Sequence, residues 1–218
     1  MSKKRHLYIP TFGEEVGNTV SHGVMAVISL LILPFAAVWA YVNGGNSILD
    51  AISVSVFVIS IFTMFIGSTL YHAMNPESKH KKVFHILDHI FIFVAIAGTY
   101  TPVALSVIGG WQGILITIIQ WLMVIFGIFY KSISRRSIPA ISITIYMVMG
   151  WVVVLFLPSF IDNASTQLIL LIALGGLFYM VGAYFYAKKG FKHHHLVWHI
   201  LINMAAITHF IAIVFYLY

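Results

Sequence analysis

The chain has 218 residues, 61% of them hydrophobic and only 8% charged, where a soluble domain is roughly half apolar and a quarter charged. Twelve basic and six acidic side chains cannot cover a water-facing surface. The composition therefore specifies an integral membrane protein and excludes a soluble enzyme, a disordered tail and a nucleic-acid module, despite the net charge of +6. With no cysteine, a disulfide framework, an iron–sulfur cluster and a thiolate metal site are excluded as well.

Along the chain, the basic start at Lys3, Lys4 and Arg5 is followed by Glu14 and Glu15 rather than by an apolar run, which does not fit a cleaved signal peptide. Thr11-Phe12-Gly13-Glu14 reads as a capping box and predicts a short amphipathic helix over 11–21 that runs into the first span. Stretches free of Asp, Glu, Lys and Arg follow at 16–49, 51–76, 89–130, 137–161, 163–187 and 193–218. A helix needs about 20 residues to cross the hydrocarbon core, so five stretches hold one span each. The 89–130 stretch holds two, divided by a turn signal at Gly109-Gly110. The predicted helices are 22–42, 51–73, 84–107, 112–130, 138–157, 167–187 and 195–217, in a single membrane domain over 1–218. Asp50 falls where the second helix starts and reads as its cap. Continuous apolar runs exclude a β-barrel; the fold class is an all-α bundle of seven transmembrane helices.

Orientation follows from the basic residues. They form four groups: Lys3, Lys4 and Arg5; Lys79, Lys81 and Lys82; Lys131, Arg135 and Arg136; Lys188, Lys189 and Lys192. The alternate connections carry none. The positive-inside rule then places the N-terminus in the cytoplasm and the C-terminus outside. The basic excess sets topology, touches anionic headgroups and calls for no nucleic acid.

Eleven histidines are unusual in a chain of this kind, because polar side chains in the bilayer are costly. With the topology set, His72, Ser68, Asp88, His195, His199, Glu15, Asn18 and His22 all fall near the cytoplasmic ends of their helices. Zinc accounts for such a grouping, since a catalytic site takes three protein ligands and leaves a position open. His195 and His199 stand four residues apart, so both rings leave one helical face, and His72 has the depth to complete the set. Asp88 is placed to accept a proton from water, and Ser68 to donate to a substrate oxygen or fix a ligand ring. His85 and His89 have the same spacing, and spacing alone does not choose between the two pairs. Histidines that hydrogen-bond across helices are the structural alternative for all of them.

Glu15-x-x-Asn18-x-x-x-His22, then Ser68-x-x-x-His72 with Asp88, then His195-x-x-x-His199 resemble the three signature motifs of the progestin and adipoQ receptor (PAQR) family, in order. Leu87-Asp88-His89, Ala97-Gly98-Thr99-Tyr100-Thr101-Pro102, Gly150-Trp151 and Trp198-His199 look like its bacterial hemolysin III branch. The resemblance covers about residues 12–216. It implies one zinc held by His72, His195 and His199, with Asp88 reaching it through water, and so favours this set over His85 and His89. Glu15, Asn18 and His22 would support the ligands or gate the site. The family is also similar to alkaline ceramidases, which implies hydrolysis of a lipid amide or ester at a bacterial plasma membrane. The partners implied are membrane lipids and a lipid substrate or ligand within the bundle. No protein hormone is expected: the sequence shows no extracellular domain that could bind one, and the long cytoplasmic N-terminal region of the animal receptors is lacking. Two rivals stand beside the hydrolase: a lipid or membrane-state sensor with structural zinc, and a cytolytic pore-former.

Overall fold

The computed structural model describes residues 11–133, 139–188 and 191–218. Lys3, Lys4, Arg5, Arg135, Arg136 and Lys189 lie outside the described residues. Among the described residues, seven helices are long and apolar enough to cross a membrane. They are α1 (Phe12–Asn43), α2 (Ser47–Ala73), α3 (Lys79–Pro102, continued by a wider π-helical turn, Val103–Ile108), α4 (Gly110–Ile133), α5 (Pro139–Trp151, continued through a 3₁₀ segment, Val152–Phe156, into Leu157–Asn163), α6 (Thr166–Lys188) and α7 (His194–Tyr216).

The capping box at Thr11 forms. The Glu14 N–H donates to Thr11 Oγ1 at 3.3 Å, and the Thr11 N–H donates to Glu14 Oε2 at 2.7 Å. The helix that starts there does not stop before the first span. α1 is one helix of 32 residues, because nothing between 12 and 22 breaks the periodicity. Within the spans, hydroxyls have no water to bond. Ser29, Ser55, Thr69, Thr99, Thr101, Thr117 and Thr208 each donate to the carbonyl four residues back, which satisfies them inside their own helix. Gly109 and Gly110 take φ of 64° and 54°. Only glycine enters that region without strain, so the pair makes the tight reversal between α3 and α4.

α2 lies between α1 and α3; α7 lies between α1 and α6. α5 touches α3 and α6 and closes a ring. α4 braces α3 and α5 from outside, with Gln120 donating to the Met149 carbonyl at 2.9 Å. Phe57, Phe65, Ile61, Ala36, Ala40, Ile202 and Ile213 form the shared core of α1, α2 and α7. Large apolar side chains such as Leu31, Val38, Leu122 and Leu170 point outward, as hydrocarbon contact requires.

Two polar knots hold the rest. Asp50 is more than a cap: its carboxylate accepts from the Asn46 N–H at 2.8 Å and from Ser106 Oγ at 2.5 Å, joining the start of α2 to the π turn of α3. Where α5 changes helix type, backbone bonds are interrupted. The Tyr100 hydroxyl donates to the Gly150 carbonyl at 2.6 Å and accepts from the Val153 N–H at 3.1 Å, mending the break from α3.

Candidate metal centre

His72 stands in the last turn of α2, and His195 and His199 in the first turns of α7. The two helices meet here, and one ligand nitrogen from each histidine lies within 4.8 Å of the others. His72 Nε2 and His195 Nε2 are 3.2 Å apart. Two nitrogens bound at about 2.0–2.1 Å to a tetrahedral ion stand about 3.3 Å apart, so this pair is already spaced as ligands. The three residues can hold a metal ion. Among the described residues His85 and His89 join no such group; the His89 Nδ1–H donates to the His85 carbonyl at 2.7 Å.

The surroundings of His72 and His199 fix the tautomers of those two rings. Glu15 Oε2 lies 2.5 Å from His72 Nδ1. A carboxylate can only accept, so Nδ1 carries the proton and Nε2 keeps its lone pair. His199 Nδ1 faces the Asn18 carbonyl at 3.2 Å and Ser21 Oγ at 3.3 Å. The Ser21 hydroxyl itself donates to the Asn18 carbonyl at 3.0 Å, so its oxygen accepts from His199 as well. Nδ1 of His199 therefore donates, and its Nε2 is likewise free to bind. Histidine ligands oriented through their second nitrogen by a carboxylate or carbonyl are the common pattern at zinc, and imidazoles are the donors zinc prefers in the absence of thiolates. The donor set fits.

α1 supplies this support. Glu15 also accepts from Lys81 Nζ at 3.3 Å. His22 stacks on His199 with centroids 3.7 Å apart and planes 5° from parallel. Neither nitrogen of His22, nor the side-chain amide of Asn18, finds a hydrogen-bond partner among the described residues. Asn203 Nδ2 donates to the Ser21 carbonyl at 3.1 Å and pins α7 to α1. The chain enters α7 through His193, whose φ of 62° is unusual for a non-glycine residue. Glu14 holds that conformation, its Oε1 accepting from the His193 N–H at 2.8 Å.

Asp88 and Ser68 lie on α3 and α2, and the Ser68 hydroxyl faces the Asp88 carboxylate. Both line the same cavity as the three histidines, a space of about 2550 Å³ inside the ring. It runs from Glu15, Lys81 and His195 to an apolar stretch formed by Val153, Leu157, Phe160, Ile169 and Ile172. Small-molecule sites are typically about 300–1,000 Å³; this one is large enough for an acyl chain and headgroup together. Each of the eight site residues named from the sequence borders it. Sequence reasoning missed Glu14, Ser21, Lys81 and Lys131, whose roles depend on how the helices are rotated against each other.

The Haemolysin-III related family profile matches residues 11–210. The chain is 32% identical to the Hemolysin-3 homolog of Bacillus subtilis (strain 168), over 94% of this chain and 95% of that protein. It is 31% identical to Hemolysin-3 of Bacillus cereus, over 93% and 91%. The human monocyte to macrophage differentiation factor is 27% identical, over 97% of this chain and 87% of its own. With seven apolar helices and relatives aligned over nearly their whole length, the chain belongs to the hemolysin III family within the PAQR superfamily and is a multi-pass bacterial membrane protein.

Proposed function

We propose that this protein is a zinc-dependent intramembrane hydrolase that cleaves a lipid amide or ester bond. The observation that carries this reading is the meeting of three imidazoles, two of them oriented from α1, and an acid, Asp88, in the wall of a lipid-sized cavity. His72, His195 and His199 would hold zinc. Bound there, zinc would supply Lewis acidity toward a carbonyl oxygen and toward water. Glu15 and the Asn18 carbonyl keep His72 and His199 in the tautomers that present Nε2. Asp88 takes the proton from the attacking water and passes it to the leaving group. Ser68 orients Asp88 before attack, and its one hydroxyl proton then turns to the developing oxyanion. The far wall of Val153, Leu157, Phe160 and Ile172 receives the acyl chain and keeps bulk water from the bond.

A second reading rests on connectivity. The three histidines come from α2 and α7, and α1 clasps both, so bound zinc would also staple the bundle, as in a sensor of lipid or membrane state. The cytolytic reading suggested by the relatives' names has less support: the apolar far wall suits acyl chains better than ions. The deciding experiment is cleavage of lipid amides and esters by purified, zinc-loaded protein and by Asp88→Asn. Turnover lost with zinc retained supports the hydrolase. Full complementation of a deletion strain by zinc-replete Asp88→Asn would leave the stapled sensor.

A further inference from the structure

Lys131 stands two residues from the end of α4, where its side chain could reach the aqueous interface at little cost, as long basic side chains near helix ends do. Lys82 and Lys188, at comparable helix ends, are exposed. Lys131 turns inward instead: it is 5% exposed, and its Nζ donates to Ser142 Oγ of α5 at 2.6 Å. Ser142 is itself 2% exposed. Both border the cavity, on the α4–α5 side, across from the histidines of α2 and α7. Asp88 lies within electrostatic reach of Lys131 from α3. Among the described residues the cavity wall carries four lysines (Lys81, Lys82, Lys131 and Lys188), Lys82 and Lys188 at its exposed rim, against three carboxylates (Glu14, Glu15 and Asp88). Of the three, Glu14 and Glu15 already accept from His193, Thr11, His72 and Lys81.

From this placement we infer that Lys131 and Ser142 form an anion subsite, and that the amphiphile held in the cavity is an acyl lipid bearing a carboxylate or a phosphate. The ammonium supplies charge and the Ser142 hydroxyl a second polar contact. The apolar wall beyond takes the chain. The inference rests on the proposed lipid-binding role of the cavity and names the class of lipid it takes; it does not require that the lipid be cleaved.

The test is thermal unfolding of the purified protein in detergent, with three probes of one chain length at equal mole fraction in the micelle. They are a long-chain carboxylate, the matching alkyl phosphate and the matching alcohol. A ligand that binds only the folded state raises the midpoint. The anions should raise it above the alcohol by about 3–5 °C for each tenfold of preference, and the larger of the two shifts identifies the carboxylate or the phosphate as the natural group. Lys131→Met keeps the apolar stem and should bring all three probes to one midpoint. Lys131→Arg should keep the preference, which separates lost charge from lost packing. A metal can also take a carboxylate, so His199→Ala is measured in parallel, and the preference should survive there. Equal shifts for alcohol and anions in the wild type would overturn the inference. So would a preference that persists in Lys131→Met or vanishes in His199→Ala. Lipid cleavage is assayed separately: a protein that keeps the anion preference and cleaves nothing loses the hydrolase reading and keeps this one.

Discussion

Glu15 is where the metal-site geometry makes its sharpest quantitative demand. Its carboxylate lies 2.5 Å from His72 Nδ1 and fixes which nitrogen is left to take a metal ion. Glu15→Gln retains a carbonyl that can accept the same hydrogen bond but removes the charge. A hydrogen bond to a charged group contributes about 1.5–3 kcal/mol and a neutral one about 0.5–1.5. The difference, about 1 kcal/mol, corresponds to zinc binding weaker by about fivefold to tenfold. Glu15→Ala removes the acceptor altogether and should weaken zinc by about 10–100-fold, the usual loss for a partner of a ligand histidine. Lys81 touches the same carboxylate at 3.3 Å, but as a pair with side-chain exposures of 12% and 21%. Such a partly wet pair contributes less than about 1 kcal/mol, so Lys81→Met should cost less than about fivefold. Competition with a zinc chelator of known affinity, in detergent, measures all three variants. If Glu15→Ala binds zinc as tightly as the wild type, the tautomer argument for His72 is wrong.

Other consequences can be tested independently. Asp88→Asn should keep zinc to within about 10–100-fold in affinity and lose lipid hydrolysis, as followed by zinc quantification beside product release. Tyr100→Phe removes both bonds that mend the break in α5 and should destabilise the protein by about 1–3 kcal/mol, read as a lower thermal midpoint; an unchanged midpoint would mean that the break is satisfied otherwise. Reporter tags at the N-terminus and in the connections after α2, α4 and α6 should report the cytoplasm, and a tag after Tyr218 the outside. A cytoplasmic C-terminus would contradict the charge rule for this chain.

The spans were readable because a bilayer leaves a sequence few options: a charge-free run of sufficient length becomes a helix. Thr11 and Gly109-Gly110 were legible for the same local reason, since a cap and a positive-φ turn are settled within four residues. The depth of the polar residues was legible too, because counting from the charged loops gives height along each helix. Rotation about the helix axis is what the sequence conceals. Spacing left His85 and His89 level with His195 and His199; the resemblance favoured the latter, and the meeting of α2 with α7 supplies the physical difference. Lys131 reads as one more cytoplasmic charge until α4 is seen to turn it toward Ser142. Asp50 reads as a cap until the π turn of α3 brings Ser106 onto it. The interruption of α5 has local marks in Gly150-Trp151 and in Pro158, where the α-helix starts again; its repair, from a tyrosine fifty residues earlier, has none.

The most direct measurement of the central claim is zinc content per chain, by elemental analysis of purified protein, for the wild type and for alanine variants of His72, His195, His199 and His89. The wild type and His89→Ala should carry about one zinc each, by the logic of three histidines and an open position. His72→Ala, His195→Ala and His199→Ala should lose most of it. A metal-free His89→Ala protein, or full zinc in the three variants of the cluster, would contradict the account.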